Sequence, residues 1–177
     1  MISQSPDVDG PATLAQIRRY AGLGHQLRLS WVGLQDAVRM VRGQEPLMIG
    51  TVGRPGELAG MTTEDSEPGM RAIAGPTWQN EVTGRAVFAE WTNRAITRMD
   101  QLRCPILVQI ADRDSIAPPA ASRAAAWRAK GRVEVREYPC AHFDIYLTWR
   151  ERAVADQLHF LRRHLAASEA REPARLT

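Results

Sequence analysis

The spacing of apolar positions changes near residue 99 and divides the chain into two regions. In the first region, Ile2-Ser3-Gln4 has the character of a strand end, halted by the turn signal Ser5-Pro6-Asp7. Asp9-Gly10-Pro11 reads as a helix start. Asp9 can cap free backbone N–H groups, and Pro11 suits a first turn because it has no N–H to satisfy. Leu14, Ile17 and Ala21 follow at helical spacing. A second helical stretch is predicted from Leu27 to Val41, with Leu27, Trp31, Leu34, Val38 and Val41 on one apolar face. Residues Gly43 to Gly75 are crowded with glycine and proline. They predict loops and short turns, a lid or insertion in place of a packed element. Pro76 to Met99 predicts helix in pieces, with Val82, Ala86, Ala89 and Ile96 as the apolar positions.

Beyond Met99 the rhythm is different. Ile106-Leu107-Val108-Gln109-Ile110 is short and almost wholly apolar, as expected of a strand buried on both faces. Ala111 to Pro119 is polar and ends in two prolines, so it predicts a loop. Ala120 to Lys130 is alanine-rich and helix-prone, and Gly131 closes it. Val133 to Tyr138 alternates like a strand exposed on one face. Pro139 to Asp144 predicts another loop. A last helix follows from Trp149 to Leu165, with Val154, Leu158, Leu161 and Leu165 as its apolar stripe. The order strand, loop, helix, strand, loop, helix is that of an α/β fold with a parallel sheet.

Charge and cysteine content narrow the function classes. Lys plus Arg exceed Asp plus Glu by 23 − 20 = 3, and the basic residues are scattered, which argues against a nucleic-acid partner. Two cysteines, Cys104 and Cys140, are too few for a disulfide scaffold and match no zinc spacing; they read as small buried hydrophobes. The four histidines bring no carboxylate cluster that would hold a metal, and His25, His159 and His164 read as solvated helix residues. No signal peptide and no apolar run of about 20 residues is visible, so the expectation is a cytoplasmic protein without a membrane partner.

The chemistry points to the two loops that follow the two strands. Catalytic groups collect at the carboxyl ends of strands in open α/β sheets. Asp114 lies just past the first strand and His142 just past the second. Adjacent parallel strands would bring them together as the orienting half of a catalytic triad. Asp112 reads as a loop hydrogen-bonder, and Asp144 as a support for the histidine loop. Asp7 and Asp9 occupy another position at which an acid can sit, although helix-start chemistry accounts for them. Trp31, Trp78 and Trp91 are candidates for lining an apolar substrate pocket, with core or cap packing as the plainer alternative.

The stretch from Cys104 through Ala111-Asp112-Arg113-Asp114 to Pro119 resembles the acid loop of α/β-hydrolases, and Tyr138-Pro139-Cys140-Ala141-His142-Phe143 resembles their histidine loop. The resemblance covers roughly Met99 to Leu165. It implies the C-terminal part of an α/β-hydrolase fold preceded by a mostly helical cap. Residues 1–10 would end a core strand, 11–98 form the cap, 99–167 the C-terminal core and 168–177 a flexible tail. It further implies a serine hydrolase acting by acyl transfer to water on an ester, amide or peptide, with catalytic Asp114 and His142 and no cofactor. The family's nucleophile elbow, G-x-S-x-G, is absent. Ser3 and Ser5 lack its glycines, Ser30 has bulky neighbours, and Ser115 adjoins the acid. The expectation is therefore a fragment or one part of a split protein, inactive alone and completed by an N-terminal half. The alternative is an inactive remnant or an interaction module that self-associates.

Overall fold

The computed structural model describes residues 1–169. Part of the expected tail, from residue 170 on, lies outside the described residues. The strands β1 (Ile2–Gln4), β5 (Ile106–Ala111) and β6 (Val133–Tyr138) form a parallel sheet in the order β1-β5-β6. Ser3 stands opposite Val108, and Val108 opposite Val135. All six residues of β5 are buried, as a central strand covered on both faces requires. On one side α4 (Pro119–Arg128) presents Ala121, Ala125 and Ala126 to Ile106, Val108 and Ile110. Alanines let the helix lie close to the strand.

The other face is covered by α5 (Arg150–Glu169), and here the expected stripe is on the wrong side. Val154, Leu158 and Leu165 are exposed, whereas Ala153 and Phe160 are buried. The reason is polar. Gln109, buried in the middle of β5, donates to the Tyr138 hydroxyl at 2.7 Å and to the Ala153 carbonyl at 2.9 Å, and accepts from Gln157 at 2.7 Å. Tyr138 in turn donates to Asp156 at 2.9 Å. Buried amides must be satisfied, so the helix turns its glutamine and alanine inward and leaves its leucines outside.

Between β1 and β5 the chain inserts a second region of helices and short strands. The two expected helical stretches are present and run on from one another as α1 (Gly10–Val41), broken at Gly22, whose φ of 83° suits glycine alone. Asp9 occupies the N-cap position but makes no capping bond; its carboxylate pairs with Arg94 at 2.9 Å instead. The punctuated segment Gly43 to Gly75 is more ordered than its composition suggests. It contains β2 (Met48–Val52), β3 (Ala59–Met61) and α2 (Ser66–Ile73). With β4 (Val82–Thr83) these strands make a second sheet, ordered β3-β2-β4. Strands this short give too few alternations for a period of two to stand out from glycine-rich surroundings. This inserted region is thus helix plus a small sheet. Short helical turns at Gly84–Phe88 and Ala95–Gln101 flank α3 (Ala89–Thr92) and lead into β5.

The apolar face expected of the second half of α1 is also outward. Leu27, Trp31, Leu34, Val38 and Val41 are all exposed, and the buried face is His25, Leu29, Gly33 and Asp36. Asp36 decides this. Its carboxylate accepts from the Leu47 N–H at 2.7 Å, the Arg85 N–H at 3.0 Å and the Arg85 guanidinium at 3.0 Å. Burial pushes this carboxyl up, but those donors outweigh burial and hold it below its ordinary range.

Candidate functional site

Asp114 and His142 stand at the carboxyl ends of the neighbouring strands β5 and β6. The turn after β5 closes through the Asp114 N–H on the Ala111 carbonyl, and Asp112 and Arg113 donate to the Tyr138 and Cys140 carbonyls. These bonds stitch the acid loop to the histidine loop. The Asp114 side chain is only 2% exposed. Its Oδ1 accepts from the backbone N–H groups of Ile116 at 2.8 Å and Ala117 at 2.7 Å. Its Oδ2 accepts from His142 Nδ1 at 2.7 Å. With both oxygens engaged, the carboxylate cannot swing, and it fixes the imidazole through Nδ1. Nε2 remains as the nitrogen open to proton transfer.

The ring is held from its sides. Phe143 and Tyr146 pack against it edge-on, at centroid distances of 5.0 and 6.2 Å. Asp144 accepts from the Ala141 N–H at 3.0 Å and so shapes the histidine loop. Burial, with the nearby Asp114 charge, pushes the Tyr146 phenol up. Asp112 is more exposed and lies near Arg113, away from the imidazole. Cys140, buried beside His142, has its thiol pushed up to about 11 by burial and then by Asp144, Asp112 and Asp114, so it is not a thiolate at neutral pH. Cys104 is exposed, contrary to expectation, because the chain before β5 runs over the surface.

His142 lines a cavity of about 370 Å³ between the main sheet and the inserted region. Its walls are largely apolar, from Leu14, Ile17, Leu29, Ile49, Met61 and Val87. Trp91 lines it as well. Trp31 and Trp78 do not: Trp31 belongs to the outward face of α1, and Trp78 sits half-buried in the loop before β4. The inserted region is tied to the site by Gln16, which donates to the Asp114 carbonyl at 3.0 Å, and by close packing of α2 on the histidine loop. A methyl on Gly69 would stand 2.3 Å from the Phe143 ring. His25 is buried, not solvated, and its imidazole is held below its ordinary value, chiefly by burial. His164 lies against Phe160 and Glu134, and His159 is exposed.

One end of the cavity is polar in a way the sequence did not signal. Asp7 and Glu90 both line it, 83 residues apart in the chain. Burial, then a hydrogen bond to Asp7 and its charge, push the Glu90 carboxyl up to about 7. Burial leads this shift, and Glu90 Oε2 is buried without a hydrogen-bond partner. Ser5 lines the same cavity; it is buried, its Oγ has no partner, and its backbone is left-handed with φ of 40°. An outlier of this kind at a strand end invites attention. The next residue is Pro6, however, which has no N–H to serve as the oxyanion donor that follows a nucleophile. Among the described residues, no group of three or more His, Cys, Asp or Glu is placed to hold a metal, and no helix is long and apolar enough to cross a membrane.

No family model matches the chain, and no curated protein does. Solved structures do match. DcsB in complex with its substrate analogue shares 15% identity over 94% of this chain and 56% of its own length, with a TM-score of 0.67. The α/β hydrolase GrgF from Penicillium sp. sh18 shares 16% over 93% of this chain and 55% of its own length, with a TM-score of 0.65. The Paleococcus ferrophilus monoacylglycerol lipase shares 20% over 74% of this chain and 52% of its own length, with a TM-score of 0.51. The chain thus spans a little over half the length of the solved structures it matches. At such low identity the likeness is one of architecture, and the architecture of this chain is a partial α/β-hydrolase fold.

Proposed function

We propose that this chain supplies the acid and the base of a serine-hydrolase triad, and that the attacking hydroxyl comes from polypeptide outside this sequence. The supporting observation is the buried 2.7 Å contact of His142 Nδ1 with Asp114 Oδ2, made at the wall of an apolar cavity. A carboxylate in that position keeps Nδ1 protonated and favours the imidazolium when it forms. His142 Nε2 would take the proton of the attacking hydroxyl as the tetrahedral intermediate forms. It would then return that proton to the leaving group, and act again as base for the water that releases the acyl group. The apolar walls suit the acyl part of an ester or amide. The G-x-S-x-G elbow is absent from this sequence, so the chain alone does not complete the reaction.

A fluorophosphonate probe tests this reading. The chain is treated with it alone and together with a polypeptide that carries a strand, a G-x-S-x-G elbow and a helix. Labelling of the added polypeptide, dependent on His142, is the expected result. Equal labelling with His142→Ala would refute the acid–base role and leave a non-catalytic interaction module.

A further inference from the structure

We infer that the cavity beside His142 takes a substrate with a basic arm: an ester or amide whose aliphatic chain ends in a protonated primary amine, seated against Asp7, Glu90 and Ser5. This rests on the acid–base reading of His142 and names the class of compound that the site would cleave. Most of the cavity wall is apolar, but two carboxyls stand in it. Asp7 follows β1, and Glu90 lies on α3. The start of α1 brings them together: the Gly10 N–H donates to the Asn93 carbonyl at 2.8 Å, and the Asn93 side chain donates to the Asp7 carbonyl at 3.1 Å. Among the described residues that line the cavity, none is Lys or Arg. Arg94, close by in sequence, is taken by Asp9 at 2.9 Å. The imidazole of His142 is taken by Asp114.

Carboxyls with a purely architectural role are met by donors of their own chain, as Asp36 and Asp114 are. Asp7 is met in part: its Oδ1 accepts from the Thr13 hydroxyl at 2.8 Å, which fixes the carboxylate in place. Glu90 Oε2 is buried and has no partner. Neither has Ser5 Oγ, on a residue only 8% exposed that lines the same cavity. Buried polar atoms without partners in a cavity wall point to a ligand that supplies them.

The ligand must donate several hydrogen bonds and carry positive charge. A primary ammonium has three donors and no acceptor, which matches the oxygens of Asp7, Glu90 and Ser5. A quaternary ammonium has no donor and would leave those oxygens unmet. Trp91, next to Glu90 on α3, lines the cavity as well, and an indole is the ring that attracts a cation best. Burial and Asp7 push the Glu90 carboxyl up to about 7. An ammonium beside both carboxyls opposes the Asp7 charge and favours the Glu90 carboxylate; a neutral hydroxyl does neither. The apolar walls from Leu14, Ile17 and Val87 would hold the aliphatic chain between the amine and the carbonyl at His142. A cavity of about 370 Å³ has room for a compound of this size.

Isothermal titration calorimetry of the full chain at pH 8 tests this without turnover. N-acetylputrescine and N-acetylcadaverine are compared with N-pentylacetamide and N-hexylacetamide, in which a methyl replaces the ammonium. At one of the two lengths the ammonium compound should bind at least about 10-fold more tightly than its methyl counterpart. Glu90→Gln should reduce that preference, and Asp7→Asn/Glu90→Gln should abolish it while the methyl compounds bind as they do to wild type. Thermal midpoints check that the variants fold; if the double variant does not, Glu90→Gln alone carries the test. Equal binding of ammonium and methyl compounds would overturn the inference, as would a preference that survives the substitutions. So would tighter binding of the terminal alcohols, or no binding by any of the compounds. The fluorophosphonate carries no amine, so its dependence on His142 stands or falls separately from these affinities.

Discussion

The main sheet and the region inserted between β1 and β5 satisfy opposite demands. On and just beyond β5 the two buried polar side chains are fully engaged: Gln109 serves Tyr138, Ala153 and Gln157, and Asp114 holds both a loop and an imidazole. In the inserted region, Asp36 is equally well satisfied, but its anchoring leaves five large apolar side chains outside. The difference teaches that a buried polar residue with several bonds can outvote a stripe of leucines. Losing a bonded, buried charge costs more than leaving a few apolar side chains partly wet.

Several substitutions would break or sharpen this contrast, and the largest effects belong to the sheet. In the enzyme completed with an elbow-bearing partner, His142→Ala should lower the rate of probe labelling by about 10⁶-fold, and Asp114→Asn by about 10⁴-fold, through loss of the oriented tautomer. Equal losses would mean that Asp114 does more than orient the ring. In equilibrium urea unfolding, Phe160→Ala should cost about 3–5 kcal/mol, because Phe160 is the largest fully buried side chain between α5 and the sheet. Leu158→Ala, on the exposed side of the same helix, should cost less than about 1 kcal/mol. A reversal would restore the stripe read from the sequence. Gly69→Ala should cost about 1–3 kcal/mol by forcing Phe143 aside, and should slow labelling as well if α2 positions the histidine loop.

The smallest effect is on pH dependence. The Glu90 carboxyl is raised to about 7 by burial and by Asp7, above the ordinary 4.5 it has when unfolded. The unfolded chain therefore loses its proton first as pH rises. The stability carried by the protonated Glu90 carboxyl is complete below about 4.5 and is lost as pH climbs through about 7. Glu90→Gln should flatten this decline, so that thermal midpoints of variant and wild type diverge from pH 5 to 8 in favour of the variant. Parallel curves would mean that the cavity does not hold the Glu90 carboxyl protonated.

Local order in the chain settles a good part of this protein. The apolar run at Ile106–Ile110, the alternation at Val133–Tyr138 and the loops after them were enough to predict two adjacent strands, and to single out Asp114 and His142 as a pair at their ends. Such features depend on neighbours in sequence and on the regular geometry of parallel strands. Tertiary structure alone decided which face of α1 and α5 is buried, that β2, β3 and β4 find one another, and that Asp7, Glu90 and Ser5 reach the same cavity as His142. Those outcomes turn on partners such as Arg85 for Asp36 and Gln109 for Gln157, which lie 49 and 48 residues away. Periodicity records how apolar a face is; it holds no record of the distant hydrogen bond that turns the face outward.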